Sequence, residues 1–123
     1  MFNYHKENQA AATIAVYKRS VNIDFGVIET ENENLVNYIE KPTFDFEVSM
    51  GVNILSSHVI KRYLSLNTKL DMPELILKLK DDGEKVLCFR DEGCYWLDIG
   101  RVDDYEKAVS EFENQREKFC DGW

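Results

Sequence analysis

Two short runs place charged side chains beside apolar, strand-forming residues: Tyr38-Ile39-Glu40-Lys41-Pro42 and Tyr95-Trp96-Leu97-Asp98-Ile99-Gly100-Arg101. In the first, Glu40 can accept hydrogen bonds from hydroxyl groups and Lys41 can neutralise a phosphate. Pro42 cannot donate a ladder hydrogen bond and so ends the strand, and the usual restriction on a residue before proline predicts an extended Lys41. A solvated charged pair at a strand end is the plainer alternative. In the second run Asp98 lies between Leu97 and Ile99, where an unpaired carboxylate is costly to bury. Either a divalent cation or a backbone cap on the turn at Gly100 accounts for it.

Gly26 and Gly51 interrupt apolar runs in which glycine weakens a sheet by roughly 0.5–1 kcal/mol relative to alanine. A ligand approaching the backbone explains both, and so does a bulge or a packing contact. His5 and His58 stand apart from cysteines and carboxylates at ligand spacing, which argues against zinc. No Gly-x-Ser-x-Gly elbow marks a nucleophilic serine. Cys88 and Cys94 are expected on adjacent strands as ordinary buried thiols. The stripe from Phe112 to Phe119 reads as core or a partner contact, and Cys120-Asp121-Gly122-Trp123 has no assigned role.

These groups need elements to position them. Phe2, His5 and Lys6 read as the tail of a helix, and a chain opening inside a helix suggests a truncation. Ala12–Tyr17 is a short buried strand. Phe25–Thr30 and Leu35–Glu40 flank the polar Glu31-Asn32-Glu33-Asn34 and predict a hairpin. Glu47–Leu55 is a further strand. Ser56 or Ser57 caps a helix with Val59, Ile60, Tyr63 and Leu64 on its apolar face. Asp71 caps the next helix, with Pro73 in its first turn, Glu74 completing a capping box, and Met72, Leu75, Ile76 and Leu79 on one face. Asp82-Gly83 ends it. Lys85–Arg90 and Tyr95–Ile99 are expected as strands. A last helix carries Tyr105, Ala108, Val109, Phe112 and Phe119 on one stripe, with Asp103, Asp104 and Glu106 at its positive end. The pattern gives five or six strands and three helices, hence an α/β fold with a mixed β-sheet and flanking helices.

With 123 residues, 44% of them hydrophobic, the chain is long enough for one modest core, expected as a single domain over 1–123. No run approaches a membrane span and the first residues lack the apolar centre of a signal peptide. Three cysteines cannot all pair within one chain, so reduced thiols and a cytoplasmic location are expected. A net charge of -8 disfavours nucleic-acid and anionic-membrane binding, while leaving room for one phosphate held by a lysine or a cation.

Taken in order, Phe25-Gly26-Val27, Glu40-Lys41-Pro42, Val48-Ser49-Met50-Gly51-Val52, Asp71-Met72-Pro73, Trp96-Leu97-Asp98-Ile99-Gly100 and Asp104-Tyr105 resemble the second half of a bacterial sugar-1-phosphate nucleotidylyltransferase, near the glucose-1-phosphate and mannose-1-phosphate branches. The resemblance runs from about Lys6 to Phe112. It implies part of a nucleotide-diphospho-sugar transferase fold, in which a nucleotide-binding half precedes a sugar-binding half. It also implies roles. Gly26 would meet the sugar through its backbone, Glu40 would bind sugar hydroxyls, Lys41 would contact the phosphate, Ser49 and Gly51 would line the pocket, and Asp98 would be one of two Asp ligands to a catalytic Mg²⁺. Lys41 and Asp98 would then be the catalytic residues, acting by positioning and charge neutralisation.

The departures are specific. Nothing matches the family's Gly-rich triphosphate loop, and the second metal-binding Asp would lie before Met1. Ser49-Met50-Gly51 stands where Asn-Ala-Gly is frequent. Arg101-Val102 stands where Thr or Pro is common. The chain is therefore expected to be a C-terminal part of the enzyme domain, inactive alone, and to self-associate through the face left by the missing half. The rivals are a non-catalytic sugar-phosphate-binding or regulatory module of the same fold and a purely structural domain.

Overall fold

The computed structural model describes residues 1–64 and 69–116, and these form two compact units, Met1–Asp91 and a smaller one from Glu92 onward. Phe119 and the Cys120–Trp123 tail lie outside the described residues. The described chain has five strands and four helices, a mixed α/β architecture.

In the first unit α1 (Phe2–Glu7) leads into β1 (Ala12–Asn22). The hairpin β2 (Val27–Glu31) and β3 (Asn34–Ile39) follows, then β4 (Thr43–Leu55), α2 (Ser57–Tyr63), α3 (Met72–Asp81) and β5 (Val86–Arg90). The main sheet has the order β4-β1-β5, with β1 antiparallel to β4 and parallel to β5. β1 outruns its predicted end at Tyr17 because β4 pairs with it as far as Asn22 opposite Thr43.

Side chains alternate across β1, and helices cover both of its faces. Thr13 points to α1, where His5 sits, and on the same side the Tyr4 ring lies 5.5 Å from Phe89 of β5. Ala12 points the other way, into a core with Ala11, Val59, Tyr63, Leu75 and Leu79. The alanines let α2 and α3 approach the strand closely, and Val86, level with Ala12, packs against the same cluster. Burial also pushes the Tyr63 hydroxyl up from its ordinary titration range.

α3 is capped as its sequence predicts: Asp71 Oδ1 accepts from Glu74 N at 3.0 Å, and Gly83 turns the chain at φ +77°. α2 differs. Ser56 stands at its N-cap, but its hydroxyl donates to Ala10 O at 2.7 Å instead of capping the helix. Its buried face is Val59 and Tyr63 alone, with Ile60 and Leu64 exposed, because a helix of seven residues presents little more than one turn to the core.

Past the core the sheet carries exposed ion pairs: Lys18 with Asp45 at 2.7 Å, and Arg90 gripping Glu47 with both ends of its guanidinium. Hydrogen bonds from Lys18 and then Ser20 hold the Asp45 carboxyl below its usual range, and the Arg90 hydrogen bonds do the same for Glu47.

In the second unit Tyr95–Ile99 forms no strand. Its polar backbone is used locally: Asp98 N donates to Asp104 Oδ2 at 3.0 Å, and Arg101 N donates to Asp98 O at 2.9 Å. α4 (Val102–Asn114) follows. Cys94 is accordingly not on a strand beside Cys88, and Cys88 is exposed on β5; both thiols are free.

Candidate functional site

The hairpin gathers the best-defined group. Asn32 and Glu33 occupy the turn with φ +47° and +69°, the backbone of the tight two-residue hairpin turn. The register pairs Val27 with Ile39 and Ile28 with Tyr38, so one step further Gly26 comes opposite Glu40. Glu40 lies just past the end of β3, two residues beyond Tyr38. The Tyr38 hydroxyl donates to Glu40 Oε2 at 3.1 Å. A β-carbon at Gly26 would fall 2.5 Å from Tyr38 Cζ and closer still to its hydroxyl oxygen. Gly26 is bare because a phenol lies over it. The packing of Tyr38 accounts for the missing side chain.

Lys41 follows in the turn from β3 to β4. It is exposed, and its φ of +43° is left-handed, not extended as the following proline predicts. The connection must bring Pro42 O to Ile23 N, 3.0 Å away, and that closure overrides the pre-proline preference. A non-glycine residue held in this region carries roughly 1–2 kcal/mol of strain.

Ser49 and Gly51 occupy an irregularity of β4. Ser49 pairs with Val16 and Asn53 with Ile14, so β4 has three residues where β1 has one. Gly51 sits in this bulge at φ +76° with no heavy atom near its absent β-carbon, and its N–H donates to Ser49 Oγ at 3.3 Å. From Thr43, beside the hairpin, to Gly51 is ~26 Å if the strand runs straight. Ser49 and Gly51 therefore form a group of their own, joined to Glu40 and Lys41 through β4.

Asp98 belongs to the second unit. Its Oδ1 accepts from Gly100 N at 3.0 Å, a turn-capping contact, and the side chain is half-buried. Asp104, almost fully buried, braces the Asp98 backbone. Mg²⁺ is commonly held by one or two carboxylates, with phosphate and water completing its shell. Asp98 fits as one such ligand through the oxygen that Gly100 does not hold. Among the described residues no group of three or more His, Cys, Asp or Glu could hold a metal ion, so no closed protein cage exists there. On the same unit Leu97, Ile99, Tyr105, Val109 and Phe112 line an apolar groove of about 400 Å³, the stripe expected of α4.

Two features escaped the sequence reading. His5 is buried with its Nδ1 2.8 Å from Thr13 Oγ1 and its Nε2 3.0 Å from Ser56 Oγ; no linear signal links positions so far apart. Tyr38 was legible in principle, since it stands only two residues before Glu40.

A three-stranded mixed sheet with helices packed on it, together with a separate two-stranded hairpin, defines an α/β domain. A profile of the nucleotidyl transferase family matches residues 1–115, and the chain belongs to that family. It is similar to glucose-1-phosphate adenylyltransferases of Clostridium botulinum (30% identical over 119 residues), Clostridium beijerinckii (32% over 121) and Clostridium perfringens (26% over 138). These alignments cover 88%, 88% and 100% of the chain but 31%, 31% and 35% of the respective relatives. The chain thus spans about a third of the length of the curated relatives it matches.

Proposed function

We propose that this chain is the sugar-phosphate-binding part of a sugar-1-phosphate nucleotidylyltransferase, which transfers a nucleotidyl group from a nucleoside triphosphate to a hexose 1-phosphate and releases pyrophosphate. The observation that carries the reading is the hairpin group within a family member: Glu40 already accepts a hydroxyl beside the bare backbone of Gly26, and Lys41 follows immediately. A carboxylate oriented to take O–H donors, next to an ammonium, matches the two ends of a sugar phosphate.

In this reading Glu40 binds sugar hydroxyls and Lys41 neutralises the phosphate. Gly26 offers close backbone approach, while Ser49 and Gly51, a separate group on β4, are not needed for these contacts. Lys41 lowers the repulsion between the sugar phosphate and the α-phosphate it attacks, and positioning supplies most of the rest. Asp98 would hold one side of a Mg²⁺ ion, whose charge would offset that of the phosphates when bound. The domain is taken as one functional unit over 1–123, acting in the cytoplasm and inactive without a nucleotide-binding half. Exposed Val21, Phe44 and Phe46 on one face of β1 and β4 support self-association. No described helix is long and apolar enough to cross a membrane.

The test is pyrophosphate release by the longest polypeptide containing this chain, with Mg²⁺, a panel of nucleoside triphosphates and several hexose 1-phosphates. Release that requires a sugar phosphate supports the assignment. No release from folded protein with any pair favours the non-catalytic binding module.

A further inference from the structure

Tyr38 touches both residues to which the reading above gives the sugar. Its hydroxyl donates to Glu40 at 3.1 Å, and the same oxygen lies over Gly26, where even a methyl group would collide with the phenol. The side chain reaches this place from β3 itself, where Tyr38 pairs with Ile28 and so lies diagonally across the hairpin from Gly26. A phenol is a flat six-membered ring bearing one hydroxyl. On Glu40 and Gly26 it makes the two contacts that a pyranose ring would make: an O–H to a carboxylate and a ring edge on bare backbone. Tyr38 is also more than half exposed.

Resting on the sugar-phosphate reading, we propose that Tyr38 is an internal competitor for the sugar subsite. A sugar gains Glu40 and Gly26 only by displacing the phenol, and Tyr38 thereby sets the affinity and favours ligands with a hydroxyl able to replace its own. The sign separates this role from that of a residue that merely orients Glu40. Removing a competitor tightens sugar binding; removing an orienting partner weakens it. The effect is confined to the sugar end, because Lys41 stands outside the Tyr38 contact.

The test titrates glucose 1-phosphate, and separately inorganic phosphate, into the unaltered chain, Tyr38→Phe and Tyr38→Ala, following the amide signals of Gly26, Glu40 and Lys41 by NMR, with the amide spectrum itself as the check on folding. Tyr38→Phe loses the competing hydrogen bond and keeps the ring, so its glucose 1-phosphate affinity should rise about 2–10-fold. Tyr38→Ala clears the ring as well and should rise further. Inorganic phosphate should bind all three alike. Unchanged or weaker glucose 1-phosphate binding by Tyr38→Phe, with saturable binding by the unaltered chain, overturns the competitor role and leaves the sugar-phosphate reading standing. An equal gain for inorganic phosphate also overturns it. Absence of saturable binding by all three proteins overturns both.

Discussion

His5 Nε2 lies 3.0 Å from Ser56 Oγ, and that hydroxyl donates to Ala10 O at 2.7 Å, so one buried imidazole fastens α1 to the start of α2. Because the serine donates elsewhere, its oxygen is free to accept from Nε2–H, and Nδ1 stands in hydrogen-bond contact with the Thr13 hydroxyl. His5→Leu should leave the Thr13 hydroxyl buried and unpartnered on that side and cost about 1–3 kcal/mol, read as a lowered urea midpoint. A change within error would show that the contact is not stabilising.

Leu79 is fully buried among Ala11, Ala12, Val59 and Tyr63. Leu79→Ala should cost about 2–5 kcal/mol, from lost transfer energy and the cavity left behind. In a domain this small that is a large part of the total stability. Leu77, on the same helix but exposed, is the control, and Leu77→Ala should change little.

The left-handed positions should separate stability from binding. At Gly51, with φ +76° and open space around it, alanine meets no clash, so its cost of about 1–2 kcal/mol is the backbone's own. Lys41 occupies the same region without being glycine. Lys41→Gly should therefore leave thermal stability equal or higher while weakening phosphate binding, measured by titration with a sugar phosphate.

Glu47 and Asp45 titrate below their ordinary values of 4.5 and 3.8 because cations hold their charged forms. A lowered folded value means that the stabilisation is complete above the ordinary value and is lost as pH falls through the folded one. The thermal midpoint should thus fall on acidification below the usual carboxylate range, and Glu47→Gln should remove part of that fall. Both groups are exposed, so 1 M salt, where the screening length is about 3 Å, should flatten the difference between Glu47→Gln and the unaltered chain.

Asp98→Asn tests the carboxylate's charge apart from its turn. An asparagine oxygen can still accept from Gly100 N, so stability should hold. In the longest polypeptide containing this chain, pyrophosphate release should nonetheless fall on the order of 100-fold or more if the charge holds a cation. Asp98→Ala, by contrast, should also cost about 0.5–2 kcal/mol from the lost cap. Equal activity in Asp98→Asn would assign Asp98 to the turn alone.

Local chemistry determined much of this molecule. Asp71, Pro73 and Glu74 mark the start of α3, Gly83 its end, and Asn32 the hairpin turn, because caps and turns are satisfied by neighbours in the chain. The ordered Gly26, Glu40-Lys41-Pro42, Gly51 and Asp98 runs indicated the family for the same reason: each is a short stretch whose residue types carry their own chemistry. Tertiary structure decided the rest. Lys41 precedes a proline, yet the closure of Pro42 on Ile23 sets its backbone. His5 and Ser56 meet only because the sheet brings α1 to the start of α2. Where a group's partner lay far along the chain, pairing and packing overrode the local preference, because a buried or closing polar group left without its hydrogen bond costs as much as the local preference supplies.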